Sequence, residues 1–170
     1  PCTMAHIQTL MTAVMLSLSP AALAAQVEVD VELVLAVDVS RSMSPRELEI
    51  QRRGYAEALV SSEVVSAITG GLIGKIALRY IEWAGDGSQR VIVDWTVIDG
   101  YEQARKVSDS LVAKFDSALR RTSISSAIDQ ARSSFENNNF TALRRVIDIS
   151  GDGPNNDGPP VLQARSRALE

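Results

Sequence analysis

Five side chains in this sequence could together hold a hard cation: Asp38, Ser40 and Ser42 in VELVLAVDVSRSMS, Thr122 in ALRRTSISSAID, and Asp152 in IDISGDGPNND. Two carboxylates and three hydroxyls make an all-oxygen donor set. Such a set suits Mg2+, Mn2+ or Ca2+, whereas zinc or copper would call for His or Cys. Two carboxylates at most neutralise a divalent ion, and hydroxyls leave it electrophilic, so an open coordination position would attract an acidic group from outside. That is the chemistry of docking.

The elements that must position these groups follow from the pattern around them. Val31 to Val37 is an apolar, strand-forming run that stops at Asp38, as expected of a parallel strand covered on both faces. In open sheets of that kind ligands lie beyond the carboxyl ends of the strands. Ser44, Pro45 and Glu47 read as a capping box with Pro in the first turn. The helix they open should run to about Leu59, burying Leu48, Tyr55 and Leu59 and leaving Arg46, Arg52 and Arg53 in solvent. Gly70, Gly71 and Gly74 lead into a second strand, Ile76 to Trp83. After the short turn AGDGSQ, a third strand from Arg90 to Trp95 must return antiparallel, with Trp83 and Trp95 facing one another across the hairpin. Asp99 to Glu102 opens a helix through Ala104, Val107, Leu111 and Phe115. Ile124, Ala127, Ile128, Ala131 and Phe135 mark another, with Thr122 in the loop ahead of it. Leu143 to Ile149 reads as a fourth strand, Asn139 to Thr141 as the turn before it, and a last helix begins near Pro160. The alternation predicts an α/β fold with a doubly wound, mostly parallel sheet and one antiparallel edge strand.

The 170 residues, 45% hydrophobic and 22% charged, are enough for one domain with a sizeable core. A net charge of -4 and the lack of a basic stripe with interleaved aromatics argue against a nucleic-acid partner. Residues 1–25 carry no Asp, Glu, Lys or Arg, and they hold the apolar run Leu10 to Leu18 followed by the small-x-small pair Ala22 and Ala24. This reads as a signal peptide, although Pro1 to Gln8 lacks the usual Lys or Arg, and the run is short for a membrane anchor. The expected product is a domain over 26–170, exported to the periplasm or the extracellular space, with no stable membrane insertion after leader removal. Cys2 and His6 both lie in the leader, so the mature chain would have neither thiol nor imidazole.

Here the residues reach a resemblance. DVSRS resembles the D-x-S-x-S metal-ion-dependent adhesion motif (MIDAS) of von Willebrand factor type A domains. Thr122 with Ala127 and Ile128 is similar to that family's threonine loop and following helix, and IDISGDGPNN resembles its strand ending in Asp-Gly. The run from about Val29 onward is more similar still to a family of secreted bacterial von Willebrand A-like proteins with no assigned function. The resemblance implies a Rossmann-like doubly wound sheet with a metal at the switch point. It also implies that Asp38, Ser40, Ser42 and Thr122 bind the ion directly or through water, that Asp152 acts through water, and that a partner's Glu or Asp completes the shell. Two departures stand out. Arg120 and Arg121 replace small residues, and could draw an acidic partner or simply be solvated. The chain stops at Glu170, where the family continues through a further strand and helix, so that last strand and helix are expected to be missing.

Other readings weigh less. Ser44 already caps the first helix, so Asp38, Ser40 and Ser42 need another reason to be there. Asp152 could be turn chemistry, and Asp157 could hold a calcium in the same loop, but the spacing of an EF-hand is absent. Gly70 to Lys75 is one residue short of a P-loop, and it precedes a strand. A serine hydrolase would lack its base, and Ser40 stands where phosphatases with an aspartate nucleophile carry their second aspartate. The expected function is therefore a secreted, metal-dependent protein-binding module that captures an Asp or Glu of an unidentified partner protein, without catalysis. The alternative is a metal-assisted hydrolase or phosphotransferase using Asp38 or Asp152 as base.

Overall fold

A computed structural model of the chain describes residues 25–40, 43–113, 121–136 and 138–170. Ser42, Phe115, Arg120 and nearly all of the expected leader lie outside the described residues. The elements are β1 (Val27–Asp38), α1 (Pro45–Leu59), α2 (Ser62–Thr69), β2 (Ile76–Trp83), β3 (Gln89–Ile98), α3 (Tyr101–Ala113), α4 (Ile124–Ser134), β4 (Phe140–Ser150) and α5 (Val161–Leu169). They build one sheet of order β3-β2-β1-β4. β1 is parallel to both β2 and β4, and β3 runs antiparallel to β2 at one edge. The expected doubly wound, mostly parallel sheet is the one observed.

Alternation along β1 divides the core. Leu35 and Val37 face a cluster with Leu78, Tyr80, Ala56, Leu59, Val107 and Leu111, so α1 and α3 cover that side. Val34 and Ala36 face the opposite way, onto Ile81, Trp83, Ala127, Ala131 and Phe135 under α4, and α5 packs on α4, with Arg167 paired to Asp129 at 2.6 Å. α3 and α4 lie on opposite faces, and Thr122, just ahead of α4, is placed at the carboxyl end of the strands, where the Ser123 N–H donates to the Ala84 carbonyl.

The capping box at α1 is present, with the Ser44 N–H donating to Glu47 Oε2 at 2.7 Å and the Glu47 N–H to Ser44 Oγ at 3.3 Å. Arg52 corrects the expectation of a solvated side chain. It falls on the buried stripe with Leu48, Ala56 and Leu59, and it is 3% exposed. Its Nε lies 2.5 Å from Glu82 Oε1, and Arg90 Nε meets Glu82 Oε2 at 2.6 Å, so a charge is tolerated there because a buried carboxylate is already waiting. The Trp pairing is also corrected, since Trp83 stands opposite Gln89 in the hairpin register. Trp95 instead packs on Phe135 and Phe140 and donates its indole N–H to the Ser134 carbonyl at 3.2 Å. β3 runs on to Ile98 because Thr96, Val97 and Ile98 pair with Leu78, Ala77 and Ile76 beyond an irregularity in the register. β4 begins at Phe140, whose N–H is taken by Asn138 Oδ1 at 2.9 Å. α2 went unmarked in the sequence, although Ser61 caps it by accepting the Val64 N–H.

At the opposite end of the sheet from the serine loop, Asp30 ties β1 to the entry of β2. Its carboxylate accepts the N–H groups of Ile73, Gly74 and Lys75 at 3.0, 2.8 and 3.2 Å. The Ile73 N–H, with smaller help from the others and against some desolvation, holds the carboxyl below its ordinary range. A carboxyl depressed in the folded state adds stability above its unfolded pKa and loses it as pH falls through the folded one. Asp30→Asn should therefore be less stable than wild type at pH 7, with the gap closing in acid. Urea unfolding at the two pH values checks this, and a gap independent of pH would contradict it.

Candidate metal site

Asp38 is the last residue of β1, and every position from Val34 to Ser40 is buried. The strand is therefore fixed by packing on both faces, and it delivers Asp38 into the interior at 0% exposure. Oδ1 of Asp38 accepts the Ser40 N–H at 2.7 Å, an Asx-type turn that starts the loop. Oδ2 is buried and, among the described residues, makes no hydrogen bond of normal geometry. Burial pushes the carboxyl above its usual range, the Ser40 N–H and hydroxyl and the Asp152 N–H oppose this, and the charge of Asp152 pushes it further up. A buried carboxylate oxygen without a partner is costly unless something else compensates it.

Two neighbouring loops are docked on the end of β2 by consecutive carbonyls. The Val39 N–H donates to the Trp83 carbonyl at 2.9 Å, and the Ser123 N–H to the Ala84 carbonyl at 2.6 Å. Thr122 is buried beside them, and both of its backbone polar groups are held. Its N–H donates to Asn156 Oδ1 at 3.0 Å, and its carbonyl accepts from the N–H groups of Asn156 and Asp157 at 3.0 and 3.1 Å. Thr122 is not the helix cap. That role belongs to Ser123, whose hydroxyl accepts the Ser126 N–H. The residue before, Arg121, has φ 65°, a left-handed conformation that a non-glycine side chain adopts at a cost.

The third loop closes over the first. A Cβ on Gly151 would lie 3.3 Å from the Trp83 ring and 3.4 Å from Asp38 Oδ2, so the end of β4 passes directly against the buried carboxylate. Asp152 follows with an exposed side chain. Asp157, the candidate for a separate calcium in this loop, is instead engaged by protein groups. Its Oδ2 accepts the Asp86 N–H at 2.9 Å and its Oδ1 lies 3.2 Å from Arg121. The Asp86 N–H first, and Arg121 second, hold its carboxyl below the ordinary range. Arg121 thus pairs across to this loop from the one that carries Thr122, while remaining largely exposed. Gly158, at φ +80°, lies where a Cβ would come 2.5 Å from Ser123 Oγ.

The carboxyl ends of the strands therefore bring together Asp38, Ser40, the Thr122 loop and the Gly151–Asp152 loop, while Ser42 lies outside the described residues. Among the described residues no three His, Cys, Asp or Glu side chains group so as to hold a metal ion, so any cation here would depend on hydroxyls as well as carboxylates. The donor types fit a hard cation, and Asp38 Oδ2 is the buried oxygen that such an ion would compensate. Sequence reasoning missed Asn155, Asn156 and Asp86, the polar groups that lash these loops together; the Asx-rich run PNND was the available signal. A cavity of about 590 Å³ opens between α4, α5 and β4, lined by residues such as Phe135, Arg145, Ile147 and Arg165, and none of the five candidate residues lines it.

A family model described as "Protein of unknown function (DUF1194)" matches residues 28–170. No curated protein matches the chain in sequence. Among solved structures, proximal thread matrix protein 1 from the mussel byssus, with a zinc-occupied MIDAS motif, is similar at a TM-score of 0.64 and 14% identity, over 86% of this chain and 37% of that one. The von Willebrand factor domain of the type V pili tip protein Mfa5 from Porphyromonas gingivalis is similar at 0.51 and 16% identity, over 75% of this chain and 39% of that one. The chain thus spans well under half the length of these two solved chains.

Proposed function

The chain belongs to the family described as Protein of unknown function (DUF1194) and has a von Willebrand factor A-type fold, and from that premise we propose that it is an exported, metal-dependent protein-binding module and not an enzyme. The observation that carries this reading is the buried Oδ2 of Asp38, to which no hydrogen bond of normal geometry runs among the described residues, at the point where three loops meet. Asp38, Ser40, Ser42, Thr122 and Asp152 would hold Mg2+, or Mn2+ or Ca2+ in its place. The cation would supply an open coordination position for an Asp or Glu side chain of a partner protein. Asp38 anchors from below as the buried carboxylate, and the hydroxyls complete the shell without cancelling its charge. The zinc-occupied MIDAS motif of the mussel protein supports a divalent ion at this end of the fold, and the oxygen donors here favour a harder one. Residues 1–25 would act as the leader, and 26–170 as the binding domain.

The test is a peptide array probed with the chain. In Mg2+ it should retain peptides carrying Asp or Glu and release them in EDTA, whereas Asn and Gln counterparts should not bind in either condition. Equal retention with and without Mg2+ would remove the metal bridge from the account.

A further inference from the structure

We propose that Asn156 is a positioning residue of the cation site, setting Thr122 in place without itself touching the ion; this rests on the metal-binding reading above. Thr122 is the candidate ligand that stands just ahead of α4, so β1 cannot locate it. The Ser123 N–H docks this loop on the Ala84 carbonyl, and the loop after β4 holds the Thr122 backbone itself. Asn156 accepts the Thr122 N–H through Oδ1 at 3.0 Å, while its own N–H and that of Asp157 donate to the Thr122 carbonyl. The side chain and backbone of one residue thus grip both polar groups of the Thr122 backbone.

Two further observations point to a purpose beyond packing. Arg121 is held at φ 65° immediately before Thr122, a strain that persists only where surrounding contacts over-determine the backbone. The same loop is fastened at its far side, with Asp157 bound to the Asp86 N–H and to Arg121 and Asn155 Oδ1 accepting the Ser125 N–H at 3.4 Å. Gly151 and Asp152, at the start of the loop, lie against Asp38. Asn156 therefore links the threonine loop to the loop that already covers the buried carboxylate, and holds two of the three loops in one fixed relation. Outer residues of this kind set the geometry of the ligands they hold.

The experiment uses the full chain and titrates Mg2+ calorimetrically below the melting temperature. Asn156→Ala should weaken Mg2+ binding by about tenfold or more. Asn156→Asp, which keeps the acceptor, should bind as wild type or tighter. Thr122→Ala should be weakened similarly, and adding Asn156→Ala to it should cost no more, because both act through one ligand. The Thr122 amide should be protected from hydrogen exchange in wild type, a readout independent of whether the alanine variant folds well. Wild-type affinity in Asn156→Ala alongside loss in Asp38→Asn would overturn the positioning role alone, as would a rapidly exchanging Thr122 amide. A wild type that takes up no Mg2+ and matches Asp38→Asn would overturn both this role and the reading it rests on.

Discussion

Asp38→Asn should make the metal-stripped protein more stable and deaf to magnesium. Folding removes this carboxyl from water, and among the described residues only Oδ1 gains a hydrogen bond of normal geometry. Burial raises its pKa, and the sign follows from linkage. For a carboxyl raised on folding, the protonated form favours the folded state; that benefit is lost as pH rises through the folded pKa, so the charge opposes folding at neutral pH. An amide keeps the shape and the acceptor for the Ser40 N–H while removing the charge. The gain should be about 1 kcal/mol in EDTA, a shift of a few degrees for a chain of this size. In Mg2+ the order should reverse. A ligand at about 100 times its Kd stabilises the state it binds by about 2.7 kcal/mol, and only the wild type can collect that. Thermal denaturation of both proteins in EDTA and in Mg2+ gives the four values needed. A variant that is less stable in EDTA, or that still responds to Mg2+, would show that the carboxylate is not held for a cation.

Glu82→Ala should cost more stability than any of the substitutions above. The Glu82 side chain is 1% exposed, and its two oxygens separately meet Arg52 from α1 and Arg90 from β3. Removing it leaves guanidinium charges facing a void in the interior, and breaking a buried pair from one side costs about 3–5 kcal/mol. Glu82→Gln should fall between, since the amide keeps one acceptor. The effect should also reach the site, because Glu82 immediately precedes Trp83 and Ala84, whose carbonyls hold Val39 and Ser123. Urea unfolding measures the first effect and Mg2+ titration the second. A loss below about 1 kcal/mol would mean that water reaches the arginines as readily as it reaches an exposed pair.

Features set by local chemistry were legible in the sequence, and those set by distant partners were not. β1 was readable because an unbroken apolar run that stops at a carboxylate is the pattern of a strand buried on both faces until its end, and α1 because Ser44, Pro45 and Glu47 each state a different part of a helix start. The hairpin followed from the shortness of the turn. Arg52 points to solvent by residue type and to the core by position, since its spacing from Leu48, Ala56 and Leu59 puts it on the buried face. The carboxylate that licenses it lies 30 residues away. α2 was missed because Val64 and Val65 are weak helix formers and its cap, Ser61, is followed directly by a second serine. In the site, Asp38 and Ser40 were visible as a strand-end pattern, whereas Thr122 gained significance from the resemblance. Asn156 was invisible, because nothing local distinguishes an asparagine that ends a turn from one that grips a threonine 34 residues earlier.

The pairing of β1 with both β2 and β4 has a consequence for the order in which the chain can fold. β1 and β2 join positions 45 residues apart, as Asp30 and Lys75 do, while Glu32 and Arg145 across β1 and β4 are 113 residues apart. Closures over the longer span are slower and are rewarded only once made. A chain that has paired β1, β2 and β3 already presents Asp38, but Gly151, Asp152 and Asn156 arrive only when β4 docks. On the proposed reading, competence to take up a cation would be acquired only at the final step of assembly, and a nascent, nicked or half-folded chain would be silent toward any partner.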